Sequence, residues 1–274
     1  FGMEHVQDTH RLAMMNMMLH GLDGDAPESG MIYGDTLSPK GQMLPKTDLI
    51  LTNPPFGTKK GGGVPSRDDF AYPTSNKQLA FLQHIYRGIK PGGRAAVVLP
   101  DNVLFEGHVG KDIRKDLMDK CDLHQILRLP TGIFYAQGVK TNVLFFTRGK
   151  TDTDNTKALW VYDLRTNMPR FGKTTPLKYE HFEEFIKCFG KNPYGKTKRK
   201  DLGEDGRFRE FSRDFIRNQD ESLDIAWLRD ESLNGSANLP PPEVLAQEAM
   251  IELEVAMIEL RDILDQLGVE EVAE

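Results

Sequence analysis

The chain has little cysteine and no long apolar run, and each shortage removes a class of protein. Only Cys121 and Cys188 occur in 274 residues, in unrelated contexts and without paired Cys or His spacing. That excludes a disulfide framework and a zinc-finger pattern, and no metal site is expected. No stretch reaches the roughly 18 consecutive apolar residues of a membrane span. Phe1-Gly2-Met3-Glu4 has no basic region leading into an apolar run, as a secretory leader would. These shortages predict a soluble, non-secreted, cytoplasmic protein. Internal repeats are also missing. What is present is a globular mixture, 39% apolar and 28% charged, enough for one sizeable domain with a small appendage.

The formal net charge of −6 is unevenly placed. Residues 243–274 hold ten acids and one base, Arg261, so that tail carries −9 and residues 1–242 carry +3. One dense basic run stands out: Lys187, Lys191, Lys196, Lys198, Arg199 and Lys200, with no acid between them. Such a run is either a solvated loop or a phosphate contact.

Strong helix formers without Gly or Pro predict a helix over residues 9–19, ended by Gly21. Asp48-Leu49-Ile50-Leu51-Thr52 is a short apolar run that stops at Asn53-Pro54-Pro55, the pattern of a buried strand ending in a sharp turn. A helix is expected over residues 79–89, stopped by Pro91-Gly92-Gly93, and then a strand over 95–99, ended by Pro100. Residues 113–118 read as helix, and 125–129, 142–146 and 160–162 as strands. Residues 181–189 read as another helix. This alternation implies an α/β sheet with helices on both faces, which binds ligands beyond the C-terminal ends of its strands. The long Gly-containing segment 57–77 is either a substrate-facing loop or an inert one. After Pro240-Pro241-Pro242, Met250, Met257 and Leu264 share one heptad position and Leu253, Leu260 and Leu267 another. This seam packs either on its own domain or on another subunit's helix.

Asn53-Pro54-Pro55-Phe56 is the most informative stretch, although Asn-Pro-Pro alone could be only a turn. The exocyclic nitrogen of adenine is a poor nucleophile because its lone pair is delocalised into the ring. A site that methylates it must accept its two N–H hydrogens. The side-chain oxygen of Asn53 and the backbone oxygen of Pro54 can do so from one rigid turn. Preorganised polarity then carries the catalysis. The base must leave the duplex stack, and an aromatic face such as Phe56 compensates by stacking on it.

Asp/Asn/Ser-Pro-Pro-aromatic is the signature of amino-methyltransferases that use S-adenosylmethionine. Further blocks resemble, in order, the modification (M) subunits of type I restriction-modification systems, which are adenine-N6 DNA methyltransferases. They are Phe1-Gly-Met-Glu4 with RLAMMNMMLHG, Ile32-Tyr-Gly-Asp35-Thr-Leu, Asn76-Lys-Gln-Leu-Ala-Phe, Leu99-Pro-Asp-Asn-Val-Leu-Phe105, Leu129-Pro-Thr-Gly-Ile-Phe134 and Gly138-Val-Lys-Thr-Asn-Val-Leu-Phe-Phe146. Leu223-Asp-Ile-Ala-Trp and Leu239-Pro-Pro-Pro-Glu resemble the end of such subunits. The resemblance implies a Rossmann-like S-adenosylmethionine-dependent fold with a C-terminal helical tail. It gives Glu4 to the cofactor ribose and Asp35 to the cofactor's adenine amine, and places Asn53 beside the cofactor as well. Asn53, Pro54, Pro55 and Phe56 become the catalytic turn. Phe134 stacks on the second face of the flipped adenine, with Tyr135 as a substitute.

The implied partners are double-stranded DNA, a specificity (S) subunit bound through the C-terminal helix, a second M subunit and a restriction (R) subunit. The implied organisation is a catalytic core over 1–149, an extension of it over 150–239 and a partner-binding helix over 240–274. The family's first block, a strand and a Gly-rich turn that wraps the cofactor's methionine end, is expected ahead of Phe1. Gly61-Gly62-Gly63 follows the catalytic turn and cannot replace it. On this reading the chain is a fragment and alone is expected to bind S-adenosylmethionine weakly or not at all. Two other readings stay open: a non-catalytic assembly or DNA-clamping module, and a glutamine-amide methyltransferase acting on release factors.

Overall fold

The computed structural model describes residues 1–22, 30–56, 65–134, 139–172, 174–230 and Met250. The Gly61-Gly62-Gly63 loop, Tyr135, the proline run 240–242 and the heptad seam lie outside the described residues, Met250 apart. Eight strands among the described residues form two sheets. β1 (Gly2–Glu4) and β2 (Met31–Tyr33) are a short parallel pair, flanked by helix α1 (Gln7–Leu19). The larger sheet has the order β3-β4-β6-β5-β7-β8. Its strands are β3 (Thr47–Thr52), β4 (Ile89–Pro100), β5 (Cys121–Arg128), β6 (Thr141–Arg148), β7 (Ala158–Asp163) and β8 (Phe208–Ser212). β6 and β8 run antiparallel to their neighbours and the rest are parallel. β7 and β8, from the 150–239 segment, thus belong to the same sheet as β3 to β6.

The core follows the period of two along each strand. Ala95, Val97 and Leu99 of β4 and Leu144 and Phe146 of β6 face one way. They pack with Leu79, Leu82 and Tyr86 of α2 (Lys77–Arg87), Ile113 and Leu117 of α4 (Val109–Lys120) and Ile216 of α6 (Arg213–Asn218). Between β4 and α4 lies the single turn α3 (Asn102–Phe105). On the other face Val98, Val143, Phe145 and Leu127 meet Phe185 and Phe189 of α5 (Glu183–Phe189). Helices therefore cover both faces, as expected. Among the described residues no helix is long and apolar enough to cross a membrane.

Three local expectations shift. Helix α2 ends at Gly88, before Pro91-Gly92-Gly93, and β4 begins at Ile89. Thr47 pairs with Ile89 but Leu49 pairs with Arg94, so residues 90–93 arch out of the ladder. Pro91 has no N–H to donate and Gly92 takes φ +83, so the segment makes a bulge and does not act as a helix stop. Second, β3, expected as a buried strand, lies at the end of the sheet among the described residues, where Leu49 and Leu51 are 45% and 70% exposed. Third, the helix expected from 181 starts as a 3-10 turn, Tyr179–Phe182, before α5.

Candidate active site

β3 delivers Asn53 at its C-terminal end, the end where the parallel strands of an open α/β sheet expose their ligand crevice. Asn53 and Pro55 are exposed, Pro54 is buried and Phe56 is half-buried. Burial of Pro54 anchors the turn, so that the neighbouring polar side chain is presented from a fixed backbone. The Phe56 ring meets Phe134 edge to face, centroids 5.2 Å apart and planes at 84°. Two of the aromatics singled out from the sequence, 78 positions apart, are thereby brought together.

Phe134 lies in the segment between β5 and β6, on the face packed by α5. Its approach is set by Gly132, which has φ +84 and lies so close to the chain that an added Cβ would stand 2.0 Å from the carbonyl oxygen of Phe171. The Phe171 N–H donates to the Thr131 carbonyl at 3.2 Å, fixing that crossing. Only glycine meets both demands.

Glu4 and Asp35 sit together at the ends of β1 and β2. Glu4 pairs in register with Tyr33, two residues before Asp35, and its carbonyl accepts from the Gly34 N–H at 3.0 Å. The Glu4 carboxylate accepts from the Val6 N–H at 2.8 Å and that of Asp35 from the Leu37 N–H at 2.8 Å. Each acid is thus oriented by its own turn while the Asp35 residue stays exposed. Neither shares a backbone ladder with the six-stranded sheet among the described residues.

The joint is Arg67, whose side chain is 4% exposed. It donates to both oxygens of Asp69 at 2.6 and 2.7 Å, to the Thr36 carbonyl at 3.1 Å, and lies 3.1 Å from His84 Nδ1 on α2. The Arg67 guanidinium and its hydrogen bonds hold the Asp69 carboxyl below its usual range, against the opposing effect of burial. Ser66 N–H adds a bond to the Leu37 carbonyl at 3.0 Å. Sequence reasoning missed Arg67, because the partners that make it a joint, His84 and Thr36, lie 17 and 31 positions away. The same holds for Asp101 and Arg165, which join the ends of β4 and β7. Asp101 stood inside a quoted block, but nothing marked its partner.

The basic run 187–200 has exposed lysines. Arg199 is different: it donates to the His124 carbonyl at 2.9 Å and lies over Phe189 and Trp160, 5.3 and 5.9 Å from the ring centres. Among the described residues no group of three or more His, Cys, Asp or Glu could hold a metal ion.

A mixed sheet with helices on both faces, acids at the ends of two parallel strands and an Asn-Pro-Pro-Phe turn at the end of a third define a Rossmann-like, S-adenosylmethionine-dependent methyltransferase fold. Within that class the chain belongs to the N-6 DNA methylase family, whose model matches residues 1–231. Residues 239–274 match the C-terminal domain of type I restriction enzyme methylase subunits. The chain is 49% identical over 303 residues to the type I restriction enzyme EcoKI methylase subunit of Escherichia coli, covering 100% of this chain and 57% of that protein. It is 49% identical over 298 residues to the StySJI methylase subunit of Salmonella typhimurium, covering 97% and 56%. The crystal structure of the EcoKI M protein superimposes with a TM-score of 0.80 at 47% identity, over 100% of this chain and 61% of that one. The chain therefore spans somewhat over half the length of these relatives.

Proposed function

We propose that this chain is the catalytic part of a modification subunit that transfers a methyl group from S-adenosylmethionine to N6 of adenine in DNA. The observation that carries the reading is the Phe56–Phe134 pair beside Asn53-Pro54, at the C-terminal end of a strand parallel to its neighbour. The chemistry at the ends of β1 and β2 fits the cofactor: two oriented carboxylates, Glu4 at the end of β1 and Asp35 in the turn after β2, suit a ribose diol and an adenine amine. Bound there, the cofactor supplies an electrophilic methyl on a sulfonium.

The chain's residues do the rest. Asn53 Oδ1 and the Pro54 carbonyl accept the two N6 hydrogens and draw the nitrogen toward a tetrahedral form, with its lone pair available. The turn is preformed, so little reorganisation accompanies the reaction. Phe56 and Phe134 exclude water and offer π faces to the extruded base. Their edge-to-face contact closes the space between them, so a base enters by turning one ring aside.

The same reading supplies the partners: DNA, a specificity subunit that reads the sequence, a second modification subunit and a restriction subunit. The match over 239–274 and the heptad seam within it support assembly through that segment. The modest +3 over residues 1–242 agrees with most base contacts being made by another subunit.

The test is Asn53→Ala in the assembled subunit, followed by radiolabelled methyl transfer and by cofactor titration. Transfer should be abolished while S-adenosylmethionine affinity stays within a few-fold, since an N6–H acceptor is lost and the two carboxylates are untouched. Transfer at a near-normal rate would remove the catalytic role of the turn.

A further inference from the structure

Arg165, in the turn after β7, was not among the residues marked by sequence, yet its guanidinium joins three segments around the site. Nε donates to the Leu129 carbonyl at 3.0 Å and Nη2 to the Thr141 carbonyl at 2.8 Å. Nη1 and Nη2 also grip the two oxygens of Asp101 at 2.7 and 2.9 Å. Asn142 closes the cluster, donating to Asp101 at 2.7 Å and accepting from Arg165 at 3.3 Å. Behind it, Asp163 accepts from the backbone N–H groups of Arg165 and Thr166 at 2.8 and 2.7 Å.

The placement of these partners is what matters. Leu129 and Thr141 are the two ends of the segment that carries Phe134, and they bond each other, Leu129 N–H to the Thr141 carbonyl, at 3.0 Å. Asp101 follows the last residue of β4, the strand parallel to β3, and β3 leads into Asn53. The Arg165 side chain is only 10% exposed. A buried ion pair contributes little net stability over apolar packing of the same volume, so stability alone does not account for it. What a planar, five-donor fork does supply is direction toward several acceptors at once.

We propose that Arg165 is a positioning residue for the target base. It clamps Leu129 and Thr141 to the end of β4 and so fixes the backbone from which the Phe134 ring meets Phe56, three residues from Asn53. This rests on the function proposed above in giving Phe134 to the base. Lysine cannot substitute, because one ammonium cannot span Leu129, Thr141 and both oxygens of Asp101.

The test is a double-mutant cycle in the assembled methylase, with 2-aminopurine at the target position. Arg165→Met should lower kcat at least tenfold, leave KM for S-adenosylmethionine within threefold and suppress the fluorescence of the extruded base. Arg165→Lys should not restore it. Since Arg165 acts through Phe134, adding Arg165→Met to Phe134→Ala should lower kcat less than threefold further. Multiplicative losses, or an effect confined to KM for the cofactor, overturn the proposal. If Phe134→Ala alone changes neither kcat nor fluorescence, the base-stacking assignment is what fails. The clamp is then judged by hydrogen exchange in the 274-residue chain, where Arg165→Met should speed exchange at residues 131–134 at least tenfold without affecting β4. Unchanged exchange there overturns it. Should Arg165→Met fail to fold, Asp101→Asn keeps the shape, removes the charge and carries the same cycle with a smaller loss.

Discussion

His84 and His124 are both held neutral by their surroundings. Burial strips the imidazolium of its hydration, and a guanidinium stands beside each ring, Arg67 for His84 and Arg199 for His124. Their pKa values fall to about 4 and about 3. Unfolded, each titrates near 6.5. Between about pH 6 and pH 4 the unfolded chain therefore binds two protons that the native chain refuses, and acid favours unfolding. Asp122 acts in the opposite sense, because burial raises its pKa to about 6 and the native state keeps a proton that the unfolded state releases. The balance of the three groups is one proton, a slope of about 1.4 kcal/mol per pH unit with stability lost as pH falls. Asp122→Asn removes the offset, so the slope over that window should steepen by a further ~1.4 kcal/mol per unit. Urea unfolding of both chains at pH 6 and pH 4.5 measures it, and parallel slopes would refute the assignment of Asp122.

At the scale of elements, the turn proposed as catalytic was legible because its signals are local: an apolar run, then Asn53-Pro54-Pro55, then an aromatic. The paired parallel strands that carry Glu4 and Asp35 are too short for a periodic signal and were reached through resemblance alone. What periodicity does not reveal is who sits beside a strand. Asp48-Leu49-Ile50-Leu51-Thr52 reads as buried from its composition, yet β3 ends the described sheet and leaves Leu49 and Leu51 in solvent. The Arg67 and Arg165 joints were invisible for a related reason, since Arg165 meets Asp101 across 64 positions.

For the molecule as a whole, the question is how two sheets act as one site. The acids proposed for the cofactor ride on β1 and β2, whereas the turn proposed for the base rides on β3, and no described ladder joins the two sheets. Among the described residues the two are linked through the 65–70 segment, where Arg67 bonds the Thr36 carbonyl on one side and lies beside His84 of α2 on the other. The small cluster of Leu37, Phe70 and Ala80 packs beneath it. Arg67→Ala would leave Asp69 without its bidentate partner and the Thr36 carbonyl without a donor, while every strand pairing in the larger sheet stays intact. Loss should therefore be local. Hydrogen exchange is expected to quicken at least tenfold in β1, β2 and the Asp35 turn, with β4 and β6 protected as before. A cofactor held as proposed above would span both sheets and bind only the fraction of molecules in which they are aligned, so S-adenosylmethionine affinity should fall with that protection while kcat at saturating cofactor changes little. Exchange that rises evenly across both sheets would mean that Arg67 supports the whole fold and does not couple its two parts.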